Sequence, residues 1–206
     1  MAATETVRAG VQPVAEADFP TRWGHFRIYA FEADLGAGLE SALALRLGEL
    51  ETPLLRIHSQ CLTGDVFGSQ RCDCRAQLEL SLAAIAASGN GLLIYEDKEG
   101  RGIGLINKIR AYQLQDRGDD TVEANQRLGL PADARDYRLP VEMLRWFGVR
   151  RVKLMTNNPA KIEALAAAGI EVVERVACQP PALSTHADRY LQTKRNKLGH
   201  LLTPKR

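Results

Sequence analysis

At 206 residues with 45% apolar side chains, the chain is long enough to bury a substantial core as one domain. A formal net charge of +2 excludes the cationic excess of a general nucleic-acid binder, so an anionic ligand must be met by locally placed Arg and Lys. Nowhere do about 18 apolar residues stand together, and Met1–Val11 lacks the apolar run of an export signal, so a cytoplasmic protein with no nucleic-acid partner and no membrane is expected.

Residues 1–18 are small, polar and unpatterned and read as a flexible leader before a single domain over 19–206. Strand patterns follow at Phe26–Phe31, Ala42–Leu47 and Pro53–His58. After Cys74 the period becomes helical, with Leu78, Leu82, Ile85 and Ala86 on one face and Gly89 as a stop. Gly91–Tyr95 reads as a buried strand, followed by a glycine-rich turn and a helix from about Ile103 to Gln115. The alternation returns with a strand over Val149–Met155, a helix opened by Asn158-Pro159 and running through Ala167, and a strand over Ile170–Val176. The fold class expected is α+β (mixed α/β), a mixed β-sheet with flanking helices. The tail, Ala187–Leu202, has helical spacing but is dense in Arg and Lys, and is expected to be peripheral or to contact a second subunit.

Chains without a secretion signal keep their thiols reduced, where clustered cysteines more often bind metal or do chemistry than form disulfides. Cys61, Cys72 and Cys74 form C-x10-C-x-C at the predicted sheet-to-helix junction. Thiolates suit zinc, and three of them without an evident fourth leave one position for water. Zinc held that way turns water into a nucleophile near neutral pH, able to attack an electron-poor carbon of a nucleobase. The alternatives are a structural zinc knot completed by His58 or a distant residue, and thiols that bind no metal. Cys178 has no ligand-type neighbour and reads as a core filler.

Two stretches offer anion sites. Glu99-Gly100-Arg101-Gly102-Ile103-Gly104 follows a strand and opens a helix, which presents backbone N–H groups and a guanidinium. It fails the dinucleotide fingerprint, because Leu105 and Asn107 stand where glycine is required, and no P-loop pattern exists. A flexible turn with a solvated arginine is the plainer reading. In Thr156-Asn157-Asn158-Pro159-Ala160-Lys161 a lysine occupies a helix's first turn against the dipole, which a bound anion would explain and a tolerated surface lysine would too. Asp133-Ala134-Arg135-Asp136-Tyr137 gathers carboxylates around an arginine on an expected loop, which alone says little.

Taken together these stretches resemble GTP cyclohydrolase II from about Phe19 to Leu202. The resemblance rests on Arg56-Ile57-His58-Ser59-Gln60-Cys61-Leu62-Thr63-Gly64-Asp65, Arg71-Cys72-Asp73-Cys74, Glu99-Gly100-Arg101, Asn107 to Tyr112, Asp120 to Asn125, Thr156-Asn157-Asn158-Pro159 and Gly199-His200-Leu201-Leu202. It implies a homodimer whose Cys61, Cys72 and Cys74 bind one catalytic Zn2+ per chain, with Mg2+ accompanying the triphosphate of the substrate, GTP. By the same resemblance Arg56, Ile57, His58, Ser59, Gln60, Gln77, Glu99, Gly100, Arg101, Thr121, Thr156 and Lys161 line the GTP pocket. The catalytic roles fall to Tyr112, to Asp133 as proton acceptor and to Arg135 at the α-phosphorus. The implied reaction opens the imidazole ring of GTP and releases formate and pyrophosphate, the first step of riboflavin biosynthesis. A guanidinium with pKa above about 12 is a poor nucleophile, so neutralising charge in the transition state is the physical alternative for Arg135.

Gln60 stands where the family usually has glutamate, and Arg75 where it usually has glycine. Both flank the cysteines and are expected to tune the metal or the guanine contact. They also favour the nearest rival, a same-fold enzyme opening GTP to a different product. A zinc-stabilised nucleotide-binding module without turnover is the rival of another class, and the absence of aromatic residues interleaved with basic ones argues against it.

Overall fold

The computed structural model describes residues 11–36, 38–131, 133–180, 199 and 201. Among them, seven strands form one mixed sheet in the order β1-β2-β3-β5-β4-β6-β7. The strands are β1 (Pro13–Pro20), β2 (His25–Asp34), β3 (Leu39–Leu47), β4 (Leu54–Ser59), β5 (Gly91–Glu96), β6 (Arg151–Met155) and β7 (Glu171–Val176). The helices are α1 (Leu62–Asp65), α2 (Cys74–Ser88), α3 (Leu105–Gln115), α4 (Thr121–Arg127), α5 (Arg138–Trp146) and α6 (Pro159–Ala167). The α+β fold class is as expected, and the cysteines sit at a strand-to-helix junction.

The sheet begins earlier than the sequence suggests. β1 pairs antiparallel with β2 from Pro13, so residues 13–18 of the expected leader are strand. Almost every β1 side chain is exposed, which removes the apolar alternation that announces a strand. Ladder bonds hold it instead, with Arg27 of β2 clamping Glu16 at 2.6 Å and Asp18 at 3.1 Å. Residues 1–10 and, apart from Gly199 and Leu201, the tail helix expected over 187–202 lie outside the described residues.

Alternation along the strands splits the core between two faces of the sheet. Tyr29, Phe31, Leu92 and Ile94 pack on one face with Leu139, Met143 and Leu144 of α5 and Leu165 of α6. Phe26, Leu45 and Leu93 pack on the other with Leu82 and Ile85 of α2. The lack of a Cβ at Gly91 allows the close approach of α2, because a Cβ there would lie 2.8 Å from an Ile85 methyl.

Connectivity then fixes where a ligand can sit. The chain leaves β4, crosses one face through α2 and returns as β5 on one side of β4. It next crosses the other face through α5 and returns as β6 on the opposite side of β4. Strand order thus reverses at β4, and all three strands are parallel there. In open sheets a crevice forms outside the carboxyl ends of strands at such a reversal. Ser59–Cys61, Glu96–Glu99 and Thr156–Asn158 are the residues that leave those three ends.

Candidate active site

Cys61 caps α1 and Cys74 is the first residue of α2, so two short helix starts aim three thiols at one point. The three sulfurs lie within 4.8 Å of one another, with Cys61 and Cys72 at 3.7 Å. Space for that convergence comes from Gly64, where an added Cβ would stand 2.7 Å from the Cys72 sulfur and 3.1 Å from that of Cys61. Among the described residues this is the cluster suited to a metal, and soft, converging thiolates fit zinc. Cys178 is fully buried against Ser81 and the Gln77 carbonyl, a core residue as expected.

The thiols are not equivalent. Hydrogen bonds from Cys72 and Cys74 hold the Cys61 pKa far below the ordinary thiol value, although burial opposes this, and the Lys108 ammonium adds to the lowering. Contact with Cys61 and burial raise Cys72 and Cys74 above the ordinary thiol value, and the Lys108 ammonium touches only the Cys61 sulfur among the three, which makes Cys61 the thiol placed to carry negative charge. Lys108 is buried one turn into α3, 3.1 Å from the Cys61 sulfur and 2.7 Å from Glu99. Burial disfavours its ammonium, but the Glu99 hydrogen bond and the Cys61 thiolate outweigh that and hold it protonated. Glu99 in turn accepts the backbone N–H groups of Leu62 at 2.7 Å and Gly100 at 2.8 Å.

Behind the thiols runs a buried polar chain. The Arg56 guanidinium donates to the Met155 carbonyl at 3.1 Å and to Gln77 at 2.6 Å, and Gln77 donates to Asp73. Arg56 also faces Nδ1 of His58 at 3.4 Å, so the neutral ring carries its proton on Nε2, facing Asp65 at 3.2 Å. Burial lowers the His58 pKa, the Asp65 hydrogen bond opposes and the Arg56 charge adds to the lowering. Asp65 also accepts from the Cys61 N–H at 3.0 Å and the Tyr95 hydroxyl at 2.9 Å. One carboxylate therefore fixes a thiol-bearing backbone and the His58 ring together.

A second cluster gathers around Arg135, which lines the same cavity as the thiols. Asp133 receives Nε of Arg135 at 2.9 Å and Nη2 at 2.5 Å, and Arg135 Nη1 donates to Ser59 at 3.2 Å. Burial works against the Arg135 cation, yet the Asp133 hydrogen bonds raise its pKa above the ordinary guanidinium value. Burial raises Asp133 but the same pair outweighs it, leaving its carboxyl below the usual range. Lys161 is 5% exposed and donates to the Ile57 carbonyl at 2.7 Å, so it is no solvated surface lysine. Tyr137 separates the two cations, its ring 5.8 Å from the Arg135 guanidinium and 5.6 Å from the Lys161 ammonium. Gly100 and Arg101 both adopt left-handed backbone, with φ of 62° and 63°, and the Arg101 carbonyl takes the Ala134 N–H at 3.0 Å. A non-glycine residue held there is strained, which is common at ligand sites.

One open cavity joins the clusters. It is lined by all three cysteines, by Arg56, His58, Ser59, Gln60 and Gln77, by Glu99, Gly100, Arg101 and Tyr112, and by Thr121, Arg135, Thr156 and Lys161. Two expected site residues do not line it. The Ile57 side chain is fully buried in the core, because alternation along β4 turns it to the α5–α6 face, and it meets the site through its carbonyl. Asp133 stands behind Arg135 as its anion. Arg75 pairs with Glu79 at 3.2 Å on the exposed side of α2 and is absent from the lining, so its expected effect on the metal has no contact behind it. Gln60 does line the cavity. Sequence reasoning gave no role to Lys108, Asp65 or Glu96; for Lys108 the signal was a lysine one turn into a helix that follows a glycine turn.

Comparison with known proteins gives concordant findings. The family described as GTP cyclohydrolase II matches residues 12–177. The chain is 52% identical over 193 residues to GTP cyclohydrolase-2 of Neisseria meningitidis serogroup A, covering 92% of this chain and 96% of that one. It is 55% identical over 192 residues to GTP cyclohydrolase-2 of Azotobacter vinelandii, covering 92% and 91%. It is 53% identical over 195 residues to the riboflavin biosynthesis protein RibBA of Aquifex aeolicus, covering 93% of this chain and 47% of that longer one.

Proposed function

The chain belongs to the GTP cyclohydrolase II family, and from that premise we propose that it opens the imidazole ring of GTP, releasing formate and pyrophosphate at the start of riboflavin synthesis. The observation that carries this reading is one cavity whose lining includes the three-thiol cluster together with Arg101, Arg135 and Lys161. A purine nucleoside triphosphate needs both, one for chemistry at carbon and one for charge at phosphate.

At the phosphate end, Arg101, Arg135 and Lys161 neutralise the triphosphate, with Mg2+ as its companion. Arg135 acts as a cation at the α-phosphorus, stabilising charge as pyrophosphate leaves in line. Its support is the bidentate Asp133 pair, which holds the guanidinium protonated, and a protonated guanidinium has no lone pair to attack with. Isolation of a nucleotide covalently linked to Arg135 would overturn that role.

At the carbon end, Cys61, Cys72 and Cys74 would hold zinc, and the bound ion would supply the Lewis acidity that water needs to add at the guanine carbon between the two imidazole nitrogens. Tyr112 lines the cavity and its hydroxyl lies 3.3 Å from Thr63. Burial pushes its pKa up to about 12, so it stays a neutral phenol at working pH and orients water or relays a proton by donating. Lys108 balances the thiolate charge, and the Arg56–His58–Asp65 chain keeps the Cys61 backbone in place. The working enzyme is a homodimer in the cytoplasm, and no helix among the described residues is long and apolar enough to cross a membrane.

The deciding experiment incubates zinc-loaded protein with GTP and magnesium and measures formate, pyrophosphate and the ring-opened pyrimidine together. Equal formate and pyrophosphate with the 2,5-diaminopyrimidine product are expected. Unchanged GTP from folded, zinc-loaded protein would leave a binding module, and a different product would move the chain to another pathway.

A further inference from the structure

Glu96 is the last residue of β5, 1% exposed, and has no role in the chemistry above. Its backbone is pinned, because its carbonyl accepts the Gln60 N–H and the Lys98 N–H, both at 2.9 Å. Register places it directly across from Ser59, at the end of β4. Its Oε1 accepts the Ser59 hydroxyl at 2.6 Å, while its Oε2 is buried without a hydrogen-bond partner among the described residues. A half-satisfied buried carboxylate is costly, and stability alone would favour an apolar side chain at that position. Such a residue asks for a functional reason.

Ser59 supplies one. A serine hydroxyl has a single proton, and here Glu96 takes it, which turns the oxygen lone pairs towards Arg135 Nη1 at 3.2 Å. Asp133, the other partner of that guanidinium, is two residues from Arg135 on the same loop, so their bidentate pair can shift as one body. Ser59 and Glu96 belong to the sheet. The tie from Arg135 through Ser59 to Glu96 therefore anchors the cation to the rigid part of the fold. The charge of Glu96 also contributes to holding Arg135 protonated.

We propose that Glu96 is a positioning residue for the phosphate end of the reaction, orienting the Ser59 hydroxyl so that it fixes the Arg135 guanidinium where the α-phosphate arrives. This rests on the reading that Arg135 acts at phosphorus. Glu96 itself does not touch substrate.

The test is steady-state pyrophosphate release by five zinc-loaded variants, with thermal unfolding of each. Glu96→Met keeps the side-chain length and removes the acceptor without opening a cavity. It is expected to lower kcat by about 10- to 100-fold, the loss of one hydrogen bond to a charged group, with KM for GTP changed by less than about 3-fold. Its melting temperature should not fall, since the residue removed was a half-satisfied buried charge. Glu96→Gln keeps an oxygen for Ser59 and should retain at least about a third of the parent kcat. Ser59→Ala should match Glu96→Met, and the double variant should be no slower than Ser59→Ala alone, because both act along one path. Parent-like kcat in Glu96→Met, additive losses in the double variant, or a kcat loss matched by lost folding overturns the proposal. Arg135→Ala separates the two readings. If it releases pyrophosphate at the parent rate, the phosphorus role of Arg135 is wrong. If it does not, and Glu96→Met does, the role of Glu96 alone is wrong.

Discussion

Replacing Gly64 by alanine is a small change with a sharp expected consequence. Gly64 lies in α1, where glycine ordinarily costs about 0.5–1 kcal/mol relative to alanine, so propensity favours the substitution. Packing opposes it. The new Cβ would stand 2.7 Å from the Cys72 sulfur, 3.1 Å from the Cys61 sulfur and 3.2 Å from the Cys74 Cβ. Ordinary contact is about 3.5–4 Å, so the Cys72 sulfur must retreat by roughly 1 Å. A free thiol can do that by rotating, whereas a zinc ligand near 2.3 Å tolerates only about 0.2 Å of displacement. The zinc-free protein should therefore unfold within a few degrees of the parent, while zinc affinity by chelator competition falls at least about 10-fold. Formate release at limiting zinc should fall with it. A Gly64→Ala protein that holds zinc as tightly as the parent would show that the three sulfurs do not converge on one ion.

Cys72→Ser or Cys74→Ser should abolish formate release while leaving measurable cleavage of the α-β phosphate bond in folded protein; simultaneous loss of both products, assayed in parallel, would mean that zinc also organises the phosphate site. Arg135→Ala should stop pyrophosphate release, and a near-normal rate would remove Arg135 from the mechanism. Lys108→Met breaks a buried pair with Glu99 and should cost roughly 3 kcal/mol by urea unfolding, a loss that wild-type-like stability would refute. His58 is held neutral by burial, so the unfolded chain binds its proton first, near the ordinary value of 6.5. Its contribution is full above that pH and is lost as pH falls through it; urea midpoints from about pH 5 to 8 should show a shallower acid-side slope in His58→Gln, and an unchanged slope would remove His58 as the cause.

The sequence was most readable where one physical signal dominates. Asn158-Pro159 marks the start of α6 because a capping side chain and a fixed φ leave little choice, and Gly89 ends α2 with the left-handed φ of 68° that its type permits. The three thiols were legible because thiolates at that spacing have few uses. β1 was hidden because it buries almost nothing. α4 carried a legible sign, the capping box of Asp120 and Glu123, which was read as part of a motif and not as a helix start. Burial of Lys161, Lys108 and Glu96 could not be read at all. A charged residue declares its type in the sequence but not its partners, and those come from strands and helices far away in the chain.

The turn at Glu99–Gly102 explains how two unlike chemistries share one cavity. Its first residue reaches the metal side, since Glu99 holds the Leu62 N–H at the start of α1 and the ammonium that touches the Cys61 sulfur. Its third residue reaches the phosphate side, since the Arg101 carbonyl holds Ala134, between Asp133 and Arg135. Gly102 closes against the same segment, where a Cβ would lie 3.2 Å from the Ala134 carbonyl carbon. Two successive left-handed residues, Gly100 and the non-glycine Arg101, bring these contacts within four positions, and Arg101 is the one that holds a backbone an L side chain disfavours. Contacts on both sides keep the turn strained, and the strained turn in turn sets the spacing between the thiols and the arginine. The spacing is therefore a property of the β5 end, and neither the cysteine loop nor the Asp133–Arg135 loop determines it alone.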